Sequence, residues 1–245
     1  IALFVCAWLF TAVAEAHDFS GWDALLKKYV TPTTVAGIKL NAVAYEKLKS
    51  DRQFDAMVAG LEKVSLQSLK TRPEQLSFWI NVYNILAVKM IVDHYPLKGI
   101  KDAGNLLKPV WKHPIAVVAG KKRSLHEIEH EILRPLADPR IHMAIVCASV
   151  SCPDLRQEAF TSERLETQLD EQVKNFLANT GKGMRIDASN QKIYLSSIFK
   201  WFGEDFAGGV LRFVTRSVSP SDQKILGEGR LKIVYLDYNW DLNGL

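Results

Sequence analysis

The segment spanning residues 141–153, Ile-His-Met-Ala-Ile-Val-Cys-Ala-Ser-Val-Ser-Cys-Pro, brings two thiols and two hydroxyls together between Cys147 and Cys152. Its apolar run, residues 141–146, is short and rich in β-branched side chains, and Pro153 closes it. This pattern reads as a buried strand running into a turn. Such a strand can deliver the Cys147 thiol to its carboxyl end as a nucleophile. The same pattern also describes a core strand followed by an ordinary turn, with cysteines that pack or cross-link.

A thiolate nucleophile needs a base nearby and a third group to orient that base. His142 is five residues before Cys147. In a regular strand an odd separation places two side chains on opposite faces, so His142 is the weaker partner. His130, on the preceding helix, is the better base. Glu129 is placed to orient it, and Asn81 or backbone N–H groups to hold a developing oxyanion.

A second constellation overlaps the first. His126-Glu127-Ile128-Glu129-His130 matches the H-E-x-x-H pattern, in which two histidines one helical turn apart bind zinc and the glutamate acts as base. The third ligand is the difficulty, because Glu131-Ile132-Leu133-Arg134-Pro135 follows and Pro135 stops the helix. No metal or other cofactor is therefore expected, and a zinc peptidase is the lesser alternative.

The elements that must position these residues can be read in outline. Residues 19–29 form a helix with Trp22, Leu25, Leu26 and Tyr29 on one face. Residues 31–39 are a connection with room for a short strand, and 42–49 and 52–64 are short helices. Thr71 caps a long helix, with Pro73 in its first turn and Glu74 completing a capping box. That helix runs to about His94 and is apolar on nearly all sides, which marks it as the buried centre of a domain. Asn81 and Asn84 interrupt it; buried amides need partners, and Asn84 reads as a tie to neighbouring loops. Residues 115–118 form a strand. Ser124 and Glu127 open a helix over 125–133. Residues 163–179 form an amphipathic helix, 184–186 and 192–195 a hairpin, 199–213 an aromatic helix broken at Gly208-Gly209, and 231–236 a last strand. The fold class is α+β: one domain with a small, mainly antiparallel sheet packed by helices.

Composition is that of an ordinary globular protein: 48% apolar and 24% charged residues, with a net charge of +4 over 245 residues. No basic block exceeds Lys121-Lys122-Arg123, so neither nucleic acid nor a membrane surface is an expected partner. Residues 1–13 are an apolar run too short to cross a bilayer comfortably. Ala14-Glu15-Ala16 has the small-x-small pattern of a signal peptidase site. Residues 1–16 thus read as a signal peptide, residues 17–245 as the mature domain without a membrane span, and the location as periplasmic or secreted. Cys6 falls in the signal, leaving Cys147 and Cys152. An oxidising compartment invites a disulfide, but closing so short a loop stabilises little. Two free thiols are expected, with a reversible bond between them open.

Five stretches, in this order, resemble the domain of unknown function 547 family. They are Phe78-Trp79-Ile80-Asn81-Val82-Tyr83-Asn84; Ile128-Glu129-His130 with Ile132-Leu133-Arg134; His142 with Cys147-Ala148-Ser149-Val150-Ser151-Cys152-Pro153; Phe199-Lys200-Trp201-Phe202 with Asp205-Phe206; and Tyr235-Leu236-Asp237-Tyr238-Asn239-Trp240 with Leu242-Asn243. The likeness covers residues 45–243. It implies a pattern that includes Glu129-His130 but not His126, which weakens the zinc reading. It also implies a usual cysteine at Cys147 and a less constant one at Cys152, which favours Cys147 as nucleophile. By analogy alone the domain is similar to papain-like and transglutaminase-like thiol enzymes, with the order of His and Cys reversed.

The resulting expectation is a cell-envelope thiol hydrolase or acyltransferase acting on a peptide or small amide or thiol substrate. Cys147, His130, Glu129 and Asn81 would carry the chemistry, and Arg134, His142, Ser151 and Cys152 would bind substrate. The competing expectation is a binding or scaffolding module. In it Trp79, Tyr83, Trp201 and Trp240 are core, and Asn81, Glu129, His130 and Arg134 are a buried polar network. A solvent-reachable cleft beside Cys147 favours the enzyme; a sealed thiol favours the module.

Overall fold

A computed structural model of the chain describes residues 17–104 and 109–245; the signal peptide expected over residues 1–16 lies outside them. Helix α1 (Ser20–Tyr29) buries Trp22, Leu25, Leu26 and Tyr29, the face read from the sequence. It leads into a hairpin of β1 (Val30–Val35) and β2 (Ile38–Val43). Ala36 and Gly37, both at positive φ (49° and 78°), make its two-residue turn. This conformation matches the twist of paired strands. The hairpin replaces the connection expected over 31–39. Pro32 is accommodated because, among the described residues, β1 pairs only with β2 and leaves its other edge unpaired.

Helices α2 (Tyr45–Lys49) and α3 (Arg52–Gly60) follow, then α4 (Arg72–His94). In α4 the Thr71 hydroxyl accepts from the Glu74 N–H and the Glu74 carboxylate accepts from the Thr71 N–H, closing the capping box. The helix is buried almost all round and passes through the main apolar cluster. By length and composition α4 could cross a bilayer, but its surroundings here are its own chain.

Its two amides are both loop ties. Asn84 donates to the Ala144 carbonyl at 3.0 Å and accepts from the Val146 N–H at 2.9 Å. Asn81 donates to the Phe160 carbonyl at 2.8 Å and accepts from the Phe160 N–H at 3.0 Å. Each backbone group left unpaired in such a place costs about 1–3 kcal/mol, so these amides hold loops in register with the helix.

Strands β3 (Ala116–Val118) and β4 (Lys121–Arg123) form a second small hairpin. Beyond it Glu127–Leu133 is not an α-helix but a π-helical segment, with the Arg134 N–H reaching back five residues to the Glu129 carbonyl. Such widened turns are uncommon and gather at functional sites. Only half of the expected capping box forms. The Glu127 N–H bonds the Ser124 hydroxyl, while the Glu127 carboxylate goes to Lys121 and Arg123.

The strand expected over 141–146 is absent. Ile141–Ala144 is instead a one-turn helix, α5, followed by extended backbone at Ile145. Asp138 starts the turn by accepting from the Arg140 N–H. The backbone groups of Ala144 and Val146 are satisfied by the Asn84 side chain, so no neighbouring strand is needed. A short apolar run is equally compatible with a buried helix turn, and here a side-chain partner decided between them.

The remainder is α6 (Leu165–Ala178), β5 (Met184–Asp187), β6 (Lys192–Leu195), α7 (Ile198–Trp201), α8 (Val210–Ser217), α9 (Pro220–Gly227) and β7 (Lys232–Tyr235). Strands β5 and β6 are antiparallel, and β7 adds parallel to β6. A second apolar cluster, including Met143, Phe176, Phe199 and Phe206, packs this sheet and α8. The domain is α+β with small, mainly antiparallel sheets, as its composition of elements implied.

After β7 the chain returns to the centre. The Asn243 N–H bonds the Ala148 carbonyl, the Val150 N–H bonds the Asp241 carbonyl, and the Ser151 N–H bonds the Asn239 carbonyl. The C-terminal segment therefore straps the loop that carries Cys147, and it brings Tyr238 and Trp240 to that loop.

Candidate active site

The loop after α5 makes a tight reversal. Ala148 takes positive φ (59°) immediately after Cys147, and the Cys152 N–H bonds the Ser149 carbonyl at 3.0 Å. A non-glycine residue in that region is strained and must be held by its surroundings; Asn243 supplies one such restraint through the Ala148 carbonyl. The reversal leaves the Cys147 thiol half-buried and Cys152 at 3% exposure.

Cys147 Sγ lies 3.0 Å from the Ser149 hydroxyl and 3.2 Å from the Tyr238 hydroxyl, and these two oxygens are 3.3 Å apart. The Cys147 N–H donates to Cys152 Sγ at 2.8 Å. Burial alone would push the Cys147 thiol up. Hydrogen bonds from Cys152, Ser149 and Tyr238 outweigh it and bring the thiol down to about 7. Tyr238 moves the other way, because burial and the neighbouring Cys147 charge keep its hydroxyl protonated.

A cavity of about 250 Å³ opens beside this thiol. Its walls are largely aromatic, from Trp111, Trp201, Phe202, Tyr238 and Trp240, with Tyr83 deeper in. Trp201 stacks on Trp240 at 5.6 Å and contacts Tyr238 at 4.8 Å. Trp201 is 45% exposed, so it forms the mouth of the cavity and not the core. Trp79 and Tyr83 are buried as the module reading required.

Three histidines and one glutamate also face the cavity: His126, His130, His142 and Glu129. His142 is held tightly. Its Nε2 lies 2.7 Å from an Asp205 carboxylate oxygen, and its ring stacks on Phe202 at 4.1 Å. Among the described residues its Nδ1 has no hydrogen-bond partner. Asp205 is in turn clamped by Arg134 through two guanidinium nitrogens, each at 2.7 Å. The Arg134 bonds hold the Asp205 carboxyl below its usual range, so it stays charged. Burial lowers His142, against the opposing pull of Asp205, so its ring is neutral at neutral pH.

His130 is placed differently from expectation. Its Nδ1 is 2.9 Å from Arg134 Nη1. Arginine has no acceptor, so Nδ1 accepts and the ring proton of neutral His130 sits on Nε2. No hydrogen bond joins Cys147 to His130 or to His142 among the described residues. Glu129 does not orient His130 either; its carboxylate accepts from the Tyr83 hydroxyl at 3.2 Å. Burial pushes the Glu129 carboxyl up to about 7, and the Cys147 charge adds to that shift.

Other expectations are corrected by geometry. Asn81 spends both its amide groups on Phe160 and does not line the cavity, so it is no oxyanion donor. Ser151 is buried and accepts from the Asn239 N–H at 2.9 Å, which makes it an anchor of the C-terminal strap, not a substrate contact. Arg134 contacts Asp205, Glu204 and His130 and is a bracket for the histidines. The zinc motif loses its base, because the Glu127 carboxylate is held by Lys121 and Arg123. The His126 and His130 rings do approach, at 4.5 Å between centroids, but no group of three or more His, Cys, Asp or Glu side chains fit to hold a metal is present among the described residues.

Asp205 and Tyr238 are the residues that sequence reasoning passed over. They sit 63 residues beyond His142 and 91 beyond Cys147. No spacing rule connects such distant positions. Their one signal was membership in the aromatic stretches that carry the family likeness.

A family model described as "Protein of unknown function, DUF547" matches residues 66–177. That range holds α4, the π-helical segment, α5, the Cys147 loop and α6. Asp205, Tyr238 and Trp240 lie beyond it. No curated protein and no solved structure matches the chain. Residues 66–177 thus match the DUF547 family, and the thiol, both histidine-bearing segments and Arg134 lie within the matched region.

Proposed function

We propose that this protein is a thiol hydrolase or acyltransferase of the cell envelope that acts on peptide or amide bonds through Cys147. One observation carries the reading. A half-buried thiol with lowered pKa opens into a cavity that also receives a histidine backed by a carboxylate. This is the nucleophile, base and orienter set of thiol enzymes, recognised by roles and not by order in the chain.

Cys147 attacks the carbonyl carbon. His142 takes the thiol proton on Nδ1, directly or through one water, and returns it to the leaving amine. Asp205 fixes the His142 tautomer with the proton on Nε2 and stabilises the charged ring. The Tyr238 hydroxyl, next to the sulfur and kept protonated, donates to the oxyanion. His130 offers its Nε2–H to the substrate, with Arg134 fixing its ring. Base and orienter thus move from the expected His130 and Glu129 to His142 and Asp205. The aromatic walls and modest volume suit a small apolar or aromatic side chain next to the scissile bond.

Incubation with p-nitrophenyl acetate tests this. One acetyl group is expected on Cys147, located by peptide mass mapping, with a matching burst of p-nitrophenolate that Cys147→Ala abolishes. An acetyl group elsewhere, or none, overturns the proposal.

A further inference from the structure

We propose that Cys147 and Cys152 form a reversible dithiol–disulfide pair, in which Cys147 reacts with a hydroperoxide and Cys152 resolves the product. The inference goes beyond the hydrolase reading and does not depend on it, because it uses the two thiols alone.

The loop geometry carries it. Both thiols are free. The reversal at Ala148 folds the chain so that Cys152 Sγ rests 2.8 Å from the Cys147 backbone nitrogen. The C-terminal strap holds this conformation from outside through Ala148, Val150 and Ser151. The second sulfur is therefore already beside the first residue, and a disulfide needs such proximity. Exposure sets the order of events. Both thiols line the cavity, where a small peroxide can enter, but Cys147 is half-buried while Cys152 is 3% exposed, so Cys147 is the sulfur met first. Charge agrees with that order, since burial and the adjacent Cys147 keep the Cys152 thiol protonated. The reactive sulfur is the one with thiolate character.

The chemistry balances in two steps. The Cys147 thiolate attacks one oxygen of the peroxide; an S–O bond forms, the O–O bond breaks, and the departing oxygen takes a proton. Cys147 becomes a sulfenic acid and the peroxide is reduced to water or an alcohol. The Cys152 sulfur then attacks the sulfenic sulfur; an S–S bond forms, the S–O bond breaks, and hydroxide leaves with the Cys152 proton as water. A dithiol reductant reverses the bond by exchange. The pair thereby shields Cys147 from sulfinic and sulfonic acid formation, which is not readily reversed.

The test uses the whole protein, one equivalent of hydrogen peroxide, and dimedone as a trap for sulfenic acid, with products assigned by peptide mapping. The expected result is joint loss of the Cys147 and Cys152 thiols as one disulfide, without a dimedone adduct and fully restored by dithiothreitol. In Cys152→Ser the adduct is expected to accumulate on Cys147. A dimedone adduct or sulfinic acid on Cys147 of the unsubstituted protein with Cys152 still free would overturn the inference, as would no reaction at either thiol. Failure of Cys147 to accept an acetyl group would leave this result unaffected, so the two proposals fail separately.

Discussion

Asparagine in place of His142 is expected to slow acetyl transfer from p-nitrophenyl acetate to Cys147 by about a hundredfold to ten-thousandfold, the usual worth of a positioned acid–base group. Asp205→Asn is expected to follow in the same direction, because an amide no longer fixes the proton of His142 on Nε2 or stabilises the charged ring. The motivation is the 2.7 Å contact between His142 Nε2 and Asp205, which leaves Nδ1 free to act. The readout that separates catalysis from packing is the pH profile at matched thermal stability. A catalytic His142 gives a profile whose alkaline gain flattens in the variant; a purely structural one lowers the rate equally at every pH. His130→Asn serves as the comparison. Its ring is held by Arg134 and His126, and its loss is expected to weaken binding more than the chemical step.

The second large effect is on stability. The Glu129 carboxyl titrates at about 7 in the folded protein against 4.5 for an ordinary glutamate. Burial is the main cause, partly offset by the Tyr83 hydroxyl. The folded state thus holds the proton more tightly than the unfolded state. Its benefit is complete below the unfolded pKa and is lost as pH rises through the folded one. Stability from this group falls between about pH 4.5 and about pH 7 and is level above that. The full loss, from 4.5 to about 7 at about 1.4 kcal/mol per unit, amounts to about 3.5 kcal/mol. Glu129→Gln keeps the shape and removes the titration. Chemical denaturation at pH 5 and pH 8 is expected to show that the variant gains about 2.5 kcal/mol on the unsubstituted protein between the two, since part of the loss lies below pH 5. Equal pH dependence in both would show that Glu129 is charged and solvated in the folded state.

The parts of this fold that were legible in the sequence are those with local causes. The capping box at Thr71 and Glu74, together with an apolar surface all round, marked α4 and its burial. The periodic face of α1 and the turn between β5 and β6 were legible for the same reason. The run over residues 141–146 was not, because nothing local distinguishes a buried turn of helix from a buried strand. The decision came from Asn84, 60 residues away from Ala144. That one misreading propagated. Strand alternation set His142 aside in favour of His130, whereas the helical turn of α5 and the extension after it put His142 and Cys147 on the same cavity. Cys147 itself was legible from the company it keeps. Its partners Tyr238 and Asp205 were not, because they arrive through the C-terminal strap and the segment after α7, which no spacing pattern links to the thiol loop.

The central claim is that Cys147 is the activated, more exposed thiol of the cavity while Cys152, which lines the same cavity, is more buried and held protonated. Its most direct test is alkylation of the reduced protein by iodoacetamide across a pH series, with adducts mapped to single residues. The account predicts carbamidomethylation at Cys147 alone, with a rate that rises through an inflection near about 7, below the value of about 8.5 for a free cysteine. Adducts on Cys152 first, or an inflection at or above the ordinary thiol value, would contradict it.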